Sequence, residues 1–580
     1  MSSANTSTQL SDFIASLTQG LNAQSDKNAL WLKQRQSLAM ATTLLRRKEL
    51  QDNHKAIRHV VVVGPTQVGK STIVNHLAGV ECAGVNALAG YTRHAQGFSS
   101  HPVDSESLTN SMFPDWQLLG RDQLDSNNSK QLSIEALPEN NNDQTTIYWD
   151  TPDFDSVSSR TYRSVVPGIS GFADSLVLAV SKEKYADQSV WDFLEMIAPL
   201  NMPLVICINK AEQNAAAEMQ NEIRTRLKTM NASCLEIVTL PWRAADQNDD
   251  TNSDARQLRA LVEDQLANLK NNHEPDIASY FKYHWPVWLQ AVKAEHQAAN
   301  EWHEKINVAM TKLRDYYQQH YLNQNQYSEA LQRSITKLLE LLEIPVLAGT
   351  LGSLRKVITW PVRTIGGAIF NSAVNTTKKS SQSNESAILT EALANTLLNL
   401  QSEVQQAGSS ADPGQNIWWQ ALNTQFQSRR EDIKNSATTL IEELQPNFEP
   451  EIEAAANRLY EDLQKQPATL NSLRAARVTT DAAALVLALH TGGLSASDLV
   501  LAPALLSLTS LLAESAVGQH MKVIEKELKE KQAKQVEQLL INQILREKLS
   551  TLPNGLQHQN LYNISPERLA EAEKSLGTIS

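Results

Sequence analysis

Apolar residues change their spacing along this chain, and the changes mark its elements. Over residues 27–54, Leu30, Leu32, Leu38, Met40, Leu44 and Leu45 recur at helical intervals and end in Arg46-Arg47-Lys48, which predicts an amphipathic helix. From His59 the pattern shifts to short unbroken apolar runs. Val60–Val63, Thr145–Trp149, 175–181, 203–209 and 234–240 read as strands, with a helix around Ser189–Ile197. Between them, 101–144 is a polar excursion punctuated by Asn127-Asn128-Ser129 and Asn140-Asn141-Asn142, so it is an insertion or an enlarged sheet edge.

Beyond residue 272 the strand signal vanishes. Helical periodicity runs through 277–297, 299–343, 384–407, 414–445 and 449–465, which predicts a large all-α bundle or stalk. Its Trp285, Trp288, Trp302, Trp418 and Trp419 are assigned to packing, and 374–386 reads as a loop or tip. A charged helix near 519–549, with Val523, Ile524, Leu528, Val536, Leu539, Leu540 and Ile544 on one side, is suited to pack back on the N-terminal helix as a neck.

Two segments break the pattern. Residues 344–370 mix apolar residues and glycines with Arg355, Lys356, Arg363 and Trp360, chemistry suited to a membrane interface. Residues 482–517 hold two apolar runs around His490–Asp498, a helical hairpin either buried in a core or dipping into one leaflet. Neither run reaches the roughly 18–20 residues that span a bilayer.

At 580 residues the chain has room for two to four domains. A net charge of −12 argues against nonspecific nucleic-acid binding, so no nucleic-acid partner is expected. Cys82, Cys207 and Cys234 have neither zinc nor disulfide spacing, and a reducing compartment follows. Met1–Asp26 is polar, without a basic segment followed by an apolar one, and reads as a tail. The expected location is cytoplasmic, soluble or peripheral on the inner membrane face.

The chemistry begins where the valine strand ends. Gly64-Pro65-Thr66-Gln67-Val68-Gly69-Lys70-Ser71-Thr72 fits the phosphate-loop spacing G-x-x-x-x-G-K-[ST], with a strand before it and helical residues after it. Backbone N–H groups of such a turn converge on one anion, Lys70 is placed for the β- and γ-phosphates, and Ser71 for Mg²⁺. Thr92 lies 22 residues beyond Lys70 in a polar loop, where a switch threonine completes the Mg²⁺ set. Asp150 ends a strand and suits a Mg²⁺-bound water. The strand 203–208 delivers Asn209-Lys210-Ala211-Glu212, whose carboxylate can accept two hydrogen bonds from a guanine edge.

These boxes, in this order, resemble the translation-factor-related GTPases, particularly the Era-like and dynamin-like branches. The resemblance covers 55–270. It implies a Ras-like α/β P-loop GTPase domain with a mostly parallel sheet, binding GTP and GDP with Mg²⁺, and Thr92-Arg93 resembles the Thr-Arg of dynamin-like switch loops. Lys70, Thr92 and Asp153 are the catalytic candidates; Ser71, Thr92 and Asp150 the metal candidates; Gly64–Thr72 with Asn209, Lys210 and Glu212 the nucleotide candidates.

The chain departs from the family in three places. Asp153 replaces the glycine of Asp-x-x-Gly, putting a carboxylate near the expected γ-phosphate; Phe154 replaces a water-orienting Gln; Glu212 is one methylene longer than the family's Asp. Gln67 stands where potassium-activated members carry Asn, so it either reaches a K⁺ ion or only lines the loop.

The expected layout is 1–54 tail and helix, 55–270 GTPase domain, 271–343 helical, 344–386 apolar-basic segment and loop, 387–470 helical, 471–518 hairpin, and 519–580 C-terminal helix and tail. It resembles bacterial dynamin-like proteins, with a membrane surface and a second copy or related GTPase as partners. The alternative is a soluble switch that binds a protein or ribosomal partner through its helices.

Overall fold

The structure is a computed structural model. It describes the chain except residues 1–2, 23–28, 51–55, 86–90, 126–127, 139–143, 156–163, 212, 231, 233, 235, 242–252, 269–274, 326, 343–383, 410–412, 468–469, 471–508, 510–511, 515–516, 559–560 and 580. The chain forms two compact units, Met1–His296 with Asn560–Ser580, and Gln297–Gln559.

The first unit is built on one eight-stranded sheet. Its strands are β1 (Arg58–Val63), β2 (Ala95–Ser99), β3 (Gln117–Leu118), β4 (Gln131–Ala136), β5 (Thr146–Asp150), β6 (Ser175–Val180), β7 (Leu204–Ala211) and β8 (Glu236–Pro241), in the order β3-β4-β2-β5-β1-β6-β7-β8. Each neighbouring pair is parallel except β2 with β5, so the sheet is mostly parallel. Successive strand residues face opposite sides. Val61 and Val63 therefore enter one core and Val60 and Val62 the other, which is why β1 is an unbroken valine run.

Helices α1 (Ser3–Asn22) and α2 (Ala29–Glu49) contribute to the first of these cores, α3 (Lys70–Ala78) to the second. The expected polar tail is thus a helix over most of its length. Leu10, Phe13, Ile14, Leu17 and Leu21 are at most 1% exposed, at helical spacing that the surrounding Ser, Thr, Asn and Gln conceal. Arg47 at the end of α2 donates to Phe172 O (2.7 Å) and Ala173 O (2.8 Å) and pairs with Asp174, whose Oδ2 accepts His59 N–H at 2.7 Å. That chain of contacts fastens α2 to the start of β1.

The 101–144 excursion is an enlarged edge: α4 (Ser105–Met112), β3 and β4 extend the sheet beyond β2. Sheet and flanks are completed by α5 (Val165–Ser170), α6 (Gln188–Ile197), α7 (Gln213–Thr229), α8 (Ser253–Asn268) and the beginning of α9 (Ile277–Tyr317).

The second unit is helical. α9 and α12 (Pro413–Gln464) are each continuous where the sequence suggested breaks near 298 and 446–448; Ala298 is sealed in the core, and Pro446 and Pro450 lie inside α12. α10 (Glu329–Leu341), α12 and α13 (Gly518–Gln535) share a core with Leu331, Ile335, Ile452, Leu459, Ile524 and Leu528. α13, the start of the charged helix expected over 519–549, packs within this core of the second unit. The helix on α1 is α14 (Pro566–Leu576), held by Arg568 Nη2 to Ser16 Oγ (2.7 Å) and Asp12 O (3.3 Å).

α11 (Asn384–Ala407) starts inside the loop expected over 374–386, and its Glu385 is buried. Glu385 Oε1 accepts the Tyr317 hydroxyl at 2.6 Å beside a π-helical turn, Gln318–Leu322. Burial pushes its carboxyl up to about 7. Trp285, Trp288, Trp302, Trp418 and Trp419 are all buried. The 344–370 segment and all of 482–517 apart from a few residues lie outside the described residues, and among the described helices none is long and apolar enough to cross a membrane.

Candidate nucleotide site

Parallel strands β1, β5 and β7 bring their C-terminal ends to one edge of the sheet, where open α/β sheets bind ligands. The β1 end runs into the glycine loop. A Cβ on Gly64 would sit 2.4 Å from Ala179 O, so only glycine fits. Gly69 has φ +88°, and a Cβ there would meet Asn209 Nδ2 at 2.4 Å. α3 then opens at Lys70, leaving its first N–H groups without helical partners, an anion-binding arrangement.

Three predicted metal residues converge. Ser71 Oγ donates to Asp150 Oδ2 at 2.7 Å and Thr92 Oγ1 to the same oxygen at 3.2 Å. Asp150 Oδ1 is buried with no hydrogen-bond partner among the described residues. Burial above all raises the Asp150 carboxyl, against the hydrogen bonds from Ser71 and Thr92 and the nearby Lys70 charge. Two hydroxyls and a carboxylate with an unsatisfied oxygen form a hard oxygen donor set, and these residues fit Mg²⁺. Thr151 Oγ1 donates to Val62 O at 2.7 Å and locks the end of β5 to β1.

Lys70 folds back over the loop. Its Nζ donates to Pro65 O at 3.0 Å and forms a buried ion pair with Asp153 Oδ1. The Asp153 carboxylate therefore holds the very cation that the sequence assigns to the phosphates. Phe154 is committed to packing, stacked on Phe193 with centroids 5.4 Å apart.

On the far side, Asn209 Nδ2 donates to Val68 O (2.8 Å) and Lys210 Nζ to Gln67 O (2.8 Å), so the end of β7 is tied to the glycine loop. Gln67 and Lys210 both take positive φ, at 63° and 58°. The Gln67 side chain is exposed, and Glu212 lies outside the described residues.

Sequence reasoning passed over Asp155 and Asn75. Asp155 Oδ1 accepts both Thr66 N–H and Thr66 Oγ–H at 2.7 Å, while Oδ2 takes Lys184 Nζ at 3.1 Å. Burial works to raise its carboxyl, but the Thr66 and Lys184 contacts outweigh it and hold it low. Asn75 on α3 accepts Cys82 N–H (3.0 Å) and Ala83 N–H (2.7 Å), anchoring the loop that leads to Thr92. The run of aspartates 150, 153 and 155 was the available signal for the first; a lone Asn on a helix gave none for the second.

Residues 59–210 match the family described as 50S ribosome-binding GTPase. This stretch is a P-loop GTPase domain. The GTPase domain also brings solved structures into view. An Era variant from Aquifex aeolicus bound to GDP·AlF4⁻ is 19% identical, with 38% of this chain and 57% of that one covered at a TM-score of 0.24. Era with MgGDPNP and a 16S ribosomal RNA fragment is 18% identical, covering 36% and 56%, with a TM-score of 0.24. The chain thus spans a little over half the length of these two proteins. An oligomerised bacterial dynamin pair, described as sensing and tethering membranes, is 11% identical and covers 95% of both chains at a TM-score of 0.32. None of the curated proteins matches the chain significantly.

Proposed function

We propose that the chain binds GTP and GDP with Mg²⁺ and hydrolyses GTP, and that its helical region carries the nucleotide state to a membrane surface. The observation that supports this most is the meeting of Ser71 and Thr92 on one Asp150 oxygen while the other Asp150 oxygen is buried without a partner among the described residues. Ser71 and Thr92 would hold Mg²⁺ directly and Asp150 would orient its water; the ion would supply positive charge against the phosphates. Lys70 and the N–H groups of the loop supply the remaining positive field.

Asp153 gives the site its own character. Lys70 is paired with it, so a γ-phosphate would compete with a carboxylate for that cation. GDP, lacking the γ-phosphate, faces less of this competition. Guanine recognition rests on Asn209 and Glu212: a site built to pair with a donor edge rejects the base lacking it.

Calorimetry with GDP and a nonhydrolysable GTP analogue tests the nucleotide reading; Ser71→Asn is expected to abolish the triphosphate's Mg²⁺-dependent binding. In competition, GTP should displace labelled GDP at concentrations about 100-fold below ATP, and equal potency rejects guanine preference.

The membrane part rests on the composition of 344–370. Cations beside an anionic lipid surface contribute about 1 kcal/mol each. Replacing Arg355, Lys356 and Arg363 together by Glu is expected to release the protein from anionic liposomes without changing basal GTP hydrolysis. A wild-type protein that never co-sediments with liposomes would favour the soluble-switch alternative.

A further inference from the structure

The enlarged sheet edge touches the loop that carries Thr92 at both of its ends. At the near end, Arg121, just after β3, donates from Nη1 to Cys82 O at 2.9 Å. Its guanidinium lies so close that a Cβ on Gly84 would be 2.5 Å from Nη2 and 3.1 Å from the Tyr91 ring, so Gly84, Tyr91 and Arg121 meet at one point. At the far end, His94 Nε2 lies 2.9 Å from both Asp125 O and Asn128 O. Both partners are carbonyls, so Nε2 must carry the proton and donate to the pair.

The receiving turn is built for this. Asp125 N–H donates to Gln131 Oε1 (2.8 Å), Lys130 N–H to Asn128 Oδ1 (3.0 Å), and Asn128 N–H to Asp125 O (3.0 Å), which fixes where the two carbonyls point. His94 is 5% exposed, so its donor has no ready exchange with water. Thr92 sits two residues before His94 and next to Tyr91, and its hydroxyl reaches Asp150 at 3.2 Å, longer than the 2.7 Å of Ser71.

We propose that Arg121 and His94 are positioning residues through which the edge insertion holds Thr92 at the metal site, and that this region thereby sets how strongly the protein distinguishes a triphosphate from a diphosphate. The inference rests on the nucleotide-site reading above. Both side chains reach backbone carbonyls of the loop or of its receiving turn. Each acts on the loop, whose threonine contributes only where Mg²⁺ and a γ-phosphate are both present.

The test titrates Mg²⁺ against the full-length protein, following a fluorescent nonhydrolysable GTP analogue and, separately, fluorescent GDP. Arg121→Gln and His94→Ala are each expected to raise the Mg²⁺ concentration for half-maximal triphosphate binding about tenfold, the scale of one lost buried or charge-assisted hydrogen bond. GDP affinity should stay within about twofold. His94→Gln, which restores an N–H donor, should recover most of the loss. Triphosphate binding by well-folded Arg121→Gln with unchanged Mg²⁺ dependence would overturn the proposal, as would equal losses of GDP and triphosphate in both variants. A wild-type protein that binds neither nucleotide fails the underlying GTPase reading instead.

Discussion

Asp150 in the first unit and Glu385 in the second are nearly sealed from water, at 1% and 7% exposure, yet their surroundings are arranged for different ends. Around Asp150 stand Ser71, Thr92, Lys70 and the Asp153 carboxylate, and one Asp150 oxygen has no hydrogen-bond partner among the described residues. Around Glu385 stand a tyrosine hydroxyl, the distant Arg333 charge and the repelling Glu329. Burial raises both acids. The helical unit resolves the cost by favouring the protonated form of Glu385. The nucleotide site leaves an oxygen unsatisfied where a cation fits, and an unpaired buried group of that kind is tolerated where function requires it.

The comparison predicts its own tests, the largest first. Lys70→Ala should weaken binding of a GTP analogue by at least about 100-fold, since it removes a charge-assisted phosphate contact and strands Asp153 in the core. Calorimetry showing wild-type affinity would break the contrast, because Lys70 would then be a structural partner of Asp153 and nothing more.

The helical unit offers the matching perturbation. The Glu385 carboxyl has a folded pKa of about 7 against an ordinary value of 4.5. Between those values the folded state holds a proton the unfolded state has lost, so stability falls as pH rises through the window and levels off above it. Glu385→Gln should remove that contribution and stabilise the protein at pH 8 by at most about 3 kcal/mol. Glu295 in the first unit, also pushed up to about 7, supplies a similar slope that remains. Denaturant melts at pH 5 and pH 8 measure this, and an unchanged slope would mean Glu385 is ionised when folded.

A smaller effect is expected at Asp153. Asp153→Asn removes the anion that competes for Lys70 and should tighten triphosphate binding about tenfold, or 1.4 kcal/mol. Weaker binding would instead make Asp153 a direct participant with the metal or water. Smallest of all, Arg568→Ala cuts the surface contact of α14 with α1 and should cost under about 1 kcal/mol by thermal melting, with nucleotide affinity unchanged.

What could be read from the sequence follows the chemistry. The glycine loop, Asp150 and Asn209 stand out because a proposed phosphate, metal and base site would each demand a residue type at a set spacing, and the valine run betrays a strand buried on both faces. β2, with Ala-Gln-Gly-Phe-Ser, shows neither alternation nor a continuous apolar run, and α1 hides five buried side chains among polar ones. Asp155, Asn75, Arg121 and His94 act through backbone atoms of distant residues. Such bonds leave no pattern along the chain, because any loop carbonyl is an equivalent acceptor until the fold has chosen one.

The discontinuity of the first unit bears on how the protein is made. Its opening helix carries a row of apolar side chains, and part of the cover for that row is α14, with Leu569 and Ala572 in the same core. All of 297–559 must be synthesised between the two. At about 5–20 residues per second, the ribosome needs on the order of tens of seconds for that stretch. Through this interval a nascent chain holds a GTPase domain whose first helix is only partly covered, so truncation before α14 should leave a sticky product.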